Sequence, residues 1–141
     1  MRKTIYLAAP IHKTEDSSQN EVLITRLRKD DWEVWSPQEA GIASEIAART
    51  GRSLAEVRRE FCVTDLKGME KSDVCVAYLG RTREPSQGML WEMGWFYAMN
   101  KPVIFFNPAY NPITLMAEFT CMKVVNTYGE LLKALESVRH V

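Results

Sequence analysis

The sequence predicts an α/β protein: a doubly wound, five-stranded parallel sheet with helices on both faces, flavodoxin-like or Rossmann-like. Three observations carry this. Short apolar runs alternate with stretches of helical periodicity along the chain. Asp73-Val74-Cys75-Val76-Ala77-Tyr78-Leu79 is apolar almost throughout, as in a strand covered on both faces. No internal repeat, low-complexity tract or linker divides the 141 residues, so residues 1–141 are expected to form a single domain with its own core.

The elements follow in order. Thr4 to Ala8 reads as a buried strand. Asp16, Ser17 or Ser18 can cap a helix running to about Lys29, with Val22, Leu23 and Leu27 inward. Trp32 to Trp35 is a second strand, stopped by Ser36-Pro37. Ala43 to Ala48 suits a turn or two of helix before Gly51. Ser53 then caps a longer helix to about Met69, with Leu54, Val57, Phe61 and Leu66 inward. Asp73 to Leu79 is the central strand, and an apolar helix follows. Pro102 to Phe106 is the fourth strand. Asn107-Pro108 and Asn111-Pro112 punctuate a loop, and residues 113–119 suit a short helix. Met122 to Val125 is the fifth strand, and Tyr128 to Val138 a closing amphipathic helix. In such folds ligands bind beyond the carboxyl ends of the strands, at the switch point. The loops after Leu7, Leu79 and Phe106 are expected to meet there.

Eighteen basic residues balance eighteen acidic ones, which gives no electrostatic case for binding nucleic acid or a membrane surface. The basic clusters at Arg26-Leu27-Arg28-Lys29 and Arg58-Arg59 have acidic neighbours and read as solvated helix faces. Cys62, Cys75 and Cys121 lack CxxC spacing and are odd in number, so neither a disulfide framework nor a zinc site is expected. The N-terminal residues lack the apolar run of a signal peptide, and no stretch has the length of a membrane span. A cytoplasmic protein is expected.

The chemistry points to one residue. Met89 to Met99 reads as a helix apolar on nearly every side, and Glu92 is its only charge. Its neighbours at three and four residues are Gly88, Met89, Trp95 and Phe96, so no Lys or Arg on the helix can neutralise it. Burying an unpaired carboxylate is costly and raises its pKa. Glu92 is therefore the candidate for chemistry, and an ion pair with a distant Arg is the competing arrangement. Ser86 falls at the start of this helix beside Gly88. Capping a backbone N–H explains a serine there, and a hydroxyl at a helix N-terminus is also an anion seat. The two roles can coexist. Tyr6 is placed to orient Glu92 through its phenol, although a strand tyrosine commonly only packs. Trp91 and Trp95 suit base stacking, core or a subunit interface.

Taken together, Tyr6-Leu7-Ala8-Ala9-Pro10, Ser36-Pro37, Asp65-Leu66, Ser72-Asp73, Gly88-Met89-Leu90-Trp91-Glu92-Met93-Gly94, Lys101-Pro102-Val103-Ile104 and Leu115-Met116 resemble, in order and spacing, the nucleoside 2-deoxyribosyltransferase superfamily. The resemblance spans nearly the whole chain. That superfamily also contains nucleoside 5'-monophosphate N-glycosidases. The resemblance implies that Glu92 is the nucleophile at C1' of the sugar, Tyr6 the tyrosine that holds it, and Asp65 the acid near the departing base. Met116 falls on a residue that a neighbouring subunit lends to the pocket, which implies a homodimer or larger homo-oligomer. Six residues before the nucleophile the transferases carry Asp, and this chain carries Ser86; two residues before Met116 they carry Asn, and this chain carries Thr114. At both places it looks like the nucleotide hydrolases, whose hydroxyl residues bind the 5'-phosphate. An Asp at a helix N-terminus would repel a phosphate, whereas hydroxyls and free N–H groups accept one. His12 and Lys13 either add positive charge there or lie in an exposed loop.

The expected activity is cleavage of the N-glycosidic bond of a nucleoside 5'-monophosphate through a glycosyl-Glu92 intermediate, with no metal or organic cofactor. The alternatives are base exchange by a nucleoside 2-deoxyribosyltransferase and a non-catalytic nucleotide-binding module.

Overall fold

The computed structural model describes residues 2–11, 14–81 and 84–140. Its centre is a five-stranded, wholly parallel sheet of β1 (Thr4–Ala8), β2 (Glu33–Trp35), β3 (Val74–Tyr78), β4 (Val103–Phe106) and β5 (Lys123–Val125), in the order β2-β1-β3-β4-β5. The chain steps outward from β1 to β2, then crosses back over β1 to β3. That reversal sets the switch point between β1 and β3; the alternating pattern predicted the doubly wound class without the strand order.

Strand alternation divides the core into two layers. Ile5, Leu7, Val74, Val76, Ile104 and Phe106 face α1 (Thr14–Lys29) and α6 (Tyr128–Arg139). Tyr6, Ala8, Cys75, Ala77, Val103 and Phe105 face α3 (Leu54–Lys71), α4 (Gln87–Ala98) and α5 (Leu115–Thr120). A short α2 (Ala43–Thr50) packs on α3 and ends at Gly51 in the left-handed region, φ 71°. Covering on both faces explains why β1, β3 and β4 are apolar runs rather than alternating ones.

The helix starts follow local capping chemistry. Ser53 accepts from Glu56 N at 3.1 Å, and Thr127 with Glu130 closes a capping box on α6. The C-terminus of α3 is held by Lys101, whose Nζ donates to the carbonyls of Met69, Glu70 and Ser72 at 2.8–3.2 Å. None of the described helices is long and apolar enough to cross a membrane.

Three expectations need correction. α1 already runs from Thr14, so Asp16, Ser17 and Ser18 lie within it rather than cap it. Val22 points outward, 63% exposed, because it lies about 100° round the helix from the buried Leu23. Leu54, in the first turn of α3, is 40% exposed rather than inward. Tyr6, the middle residue of β1, is fully buried. A further feature was invisible to periodicity: α4 is apolar all round yet leaves Trp91 and Tyr97 exposed, as are Leu115, Met116 and Phe119 on the neighbouring α5.

Candidate active site

A cleft of about 380 Å³ opens between α3 and α4 above the carboxyl ends of β1 and β2. The N-terminal end of α4 lines one wall, and α3 runs along the other from Arg58 to Met69. Each helix contributes a stripe. From α4 come Gly88, Met89, Trp91 and Glu92, with Ser86 just before it. From α3 come Arg58, Phe61, Cys62, Asp65, Leu66 and Met69. Their spacing of three, four, seven, eight and eleven residues is one face of a helix. Ala9, Ile11 and Pro37 close the remaining side.

Glu92 and Asp65 face one another's field across this cleft. Glu92 is partly buried, and its Oε2 accepts a hydrogen bond from the Tyr6 phenol. No Lys or Arg pairs with it among the described residues, so the arrangement with a distant Arg is not the one found. Burial pushes the Glu92 carboxyl up, the Tyr6 hydroxyl pulls it back down, and the charge of Asp65 raises it again, leaving it at about 7. Asp65 is raised by burial to about 6. Burial and the adjacent Glu92 push the Tyr6 phenol well up, so it stays a donor. Cys75, beneath the site on β3, is likewise kept as a thiol by burial and by Glu92. The floor thus holds two carboxyl groups sharing an apolar wall, one fixed by a neutral phenol. Two acids so placed are suited to a nucleophile and a proton donor.

The other expected residues divide into three groups. Ser86 caps α4, its Oγ accepting from Met89 N at 3.2 Å, and it also lines the cleft with Gly88. The hydroxyl proton of Ser86 remains available to a ligand. Thr114 and Met116 do not line the cleft of their own chain. Thr114 is exposed and caps α5, accepting from Ala117 N at 3.2 Å, and Met116 is 74% exposed. His12 and Lys13 lie outside the described residues. The loop after β4 was expected at the site and does not line it; the segment after β2, at Pro37, takes that place. Asn107 instead ties the β4 loop to itself, through Asn111, and receives the Asn126 side chain on its carbonyl.

Sequence reasoning missed Arg58, Phe61 and Cys62, having taken Arg58 for a solvated face and Phe61 for core. The signal was present. They lie at seven, four and three residues before Asp65, so a functional Asp65 would have drawn its whole helical stripe into the wall.

Comparisons with known proteins bear on this geometry. No curated protein matches the chain in sequence. Among solved structures it is similar to the 2-deoxyribosyltransferase of Bacillus psychrosaccharolyticus, with TM-score 0.74 and 24% identity over 91% of this chain and 89% of that one. It is similar to a conserved protein from Enterococcus faecalis V583, with TM-score 0.79 and 19% identity over 97% and 99%. It is also similar to the CMP N-glycosidase of Clostridium botulinum, with TM-score 0.58 and 20% identity over 95% and 99%. At these identities the structural likenesses establish the shared fold. The family model for nucleoside 2-deoxyribosyltransferase matches residues 5–127, a span that holds Tyr6, Asp65 and Glu92, and the chain therefore belongs to that family of enzymes.

Proposed function

We propose that the protein cleaves the N-glycosidic bond of a nucleoside or deoxynucleoside 5'-monophosphate, releasing free base and sugar 5-phosphate. The observation that carries this reading is the Tyr6–Glu92 hydrogen bond at the floor of a cleft whose mouth presents Ser86 at a helix N-terminus. Ionised Glu92 attacks C1' as the C1'–N bond breaks, and the oxocarbenium-like charge is met by the carboxylate below it. Asp65 in its acid form gives its proton to the departing base. Water then attacks C1', the ester bond to Glu92 breaks, and the water's proton passes to Asp65. Tyr6 keeps the carboxylate directed without adding charge. The Ser86 hydroxyl and the N–H groups of the first turn of α4 suit a phosphate, and the absence of an acid at Ser86 removes a repulsion.

A second reading, base exchange between deoxynucleosides, has the match to the transferase family in its favour. The two differ in what resolves the glycosyl ester, water or a second base. Incubation with all common nucleosides and their monophosphates, followed by chromatography of free base, separates them. The hydrolase reading expects base release from monophosphates. Exchange on unphosphorylated deoxynucleosides with intact monophosphates would overturn it.

The site is proposed to be completed by a second copy of the chain. The exposed apolar row of Leu115, Met116 and Phe119, 68–77% exposed, supports this, because so continuous a patch on α5 is costly in water. Thr114 and Met116 then act in the neighbour's cleft. Sedimentation of the wild type and of Met116→Glu tests it: a monomeric wild type at working concentration would remove this part of the proposal.

A further inference from the structure

Trp35 lies one layer behind the two acids and is not part of the cleft wall. It ends β2, where it stands opposite Tyr6 in register on β1. The two rings are parallel, with centroids 5.4 Å apart and planes 8° apart. Phe96 of α4 closes the other side of the Tyr6 ring at 5.5 Å and 43°. The phenol that holds Glu92 is therefore gripped between an indole and a phenyl ring.

The outer face of the indole meets α3 at Gly68. A Cβ there would stand 2.5 Å from Cδ2 and Cε2 of Trp35 and 2.9 Å from Cε3. Real side chains do not approach so closely, so Gly68 is a slot cut to the indole. Gly68 lies one helical turn after Asp65. One side chain therefore touches the support of both acids: its inner face sets the Tyr6 ring, and its outer face sets how near α3 comes to the sheet.

We propose that Trp35, seated in the slot left by Gly68, is a positioning residue that fixes the Tyr6 phenol under Glu92 and spaces the helix carrying Asp65. This rests on the function proposed above for Glu92 and Asp65. Trp35 itself touches no substrate and acts through Tyr6.

The inference has a readout that packing alone does not move. The ionisable groups facing Glu92 are Tyr6 from β1, Asp65 from α3 and Cys75 from β3, with Arg58 and Cys62 farther along the same α3 wall. Of these only Tyr6 lowers the Glu92 carboxyl. Loosening Tyr6 therefore moves the titration of Glu92 upward, by about one pH unit for the loss of a hydrogen bond to a charged group.

The experiment titrates the Glu92 carboxyl by NMR in protein carrying 13C-labelled glutamate, with Glu92→Gln assigning the resonance. Four proteins are compared: wild type, Trp35→Leu, Gly68→Ala and the double variant. Trp35→Leu and Gly68→Ala are each expected to raise the midpoint by about one unit and, because Glu92 titrates above Asp65, to move the alkaline limb of kcat/KM up by the same amount with KM changed less than about threefold. The double variant is expected to resemble Trp35→Leu alone, because leucine leaves room for the new methyl group. Trp35→Phe keeps a ring against Tyr6 and is expected to restore a near wild-type midpoint; it and Gly68→Ala carry the test if Trp35→Leu does not fold. Midpoints unchanged in the variants, with only melting temperatures lowered, would overturn the inference. The titration needs no turnover, so a wild type that releases no base would sink the proposed activity while leaving this result readable.

Discussion

Replacing Glu92 with glutamine should stabilise the protein at neutral and alkaline pH. The carboxyl titrates at about 7 in the folded chain against an ordinary 4.5, chiefly because burial disfavours its charged form. A raised carboxyl pKa means that the folded state binds the proton more tightly than the unfolded state. Stability is then lost as pH rises from about 4.5 to about 7 and is flat above that. Two and a half pH units correspond to about 3 kcal/mol. The glutamine side chain carries no charge, and its amide oxygen still accepts the Tyr6 phenol proton. The variant should therefore match the wild type near pH 4 and exceed it by about 3 kcal/mol at pH 8, roughly 10 °C in melting temperature for a domain of this size. Urea unfolding of both proteins across that range measures the gap. Equal stability at pH 8, or a gap that does not change with pH, would refute the claim that an ionised Glu92 is held against its environment.

Three further outcomes follow from the same geometry. Because the proposed cleavage needs Glu92 ionised and Asp65 protonated, kcat/KM should trace a narrow bell with limbs at about 6 and about 7, and Asp65→Asn should abolish the alkaline limb while slowing base departure by roughly 100-fold. Ser86→Asp keeps a good helix cap but puts a charge beside the proposed phosphate seat, so it should raise KM for monophosphates at least tenfold and leave unphosphorylated nucleosides unaffected. Cys62 is exposed on the cleft wall while Cys75 is buried and Cys121 is raised by burial to about 12, so alkylation should label Cys62 first, and bound nucleotide should slow that labelling.

The architecture was legible because each strand is covered on both faces. Val74 to Ala77 and Val103 to Phe106 are unbroken apolar runs, and capping residues such as Ser53, Ser86 and Thr127 mark the helix starts. Strand order was legible only up to the doubly wound class, since no local pattern states which edge β2 takes. Glu92 stood out because its own helix offers it no charge partner, and the phenol that holds it lies 86 residues away. What periodicity could not separate was an apolar face meant for the core from one left open. Val22 and Leu54 fit the same spacing as their buried neighbours, yet both remain exposed. The wall residues Arg58 and Cys62 escaped notice because a helix facing a cleft looks, in sequence, like a helix facing water. The seat of Trp35 at Gly68 was hidden for another reason: a glycine inside a helix carries no mark of the ring it receives 33 residues before it.

The central claim is that the Glu92 carboxylate becomes covalently bonded to the sugar. Mass spectrometry of the wild type quenched in acid during turnover of a nucleoside monophosphate tests it most directly. The account predicts a sugar phosphate increment on the peptide containing Glu92, absent from Glu92→Gln, which should also release no base. Base release at an undiminished rate by Glu92→Gln, with the wild-type peptide unmodified, would contradict it.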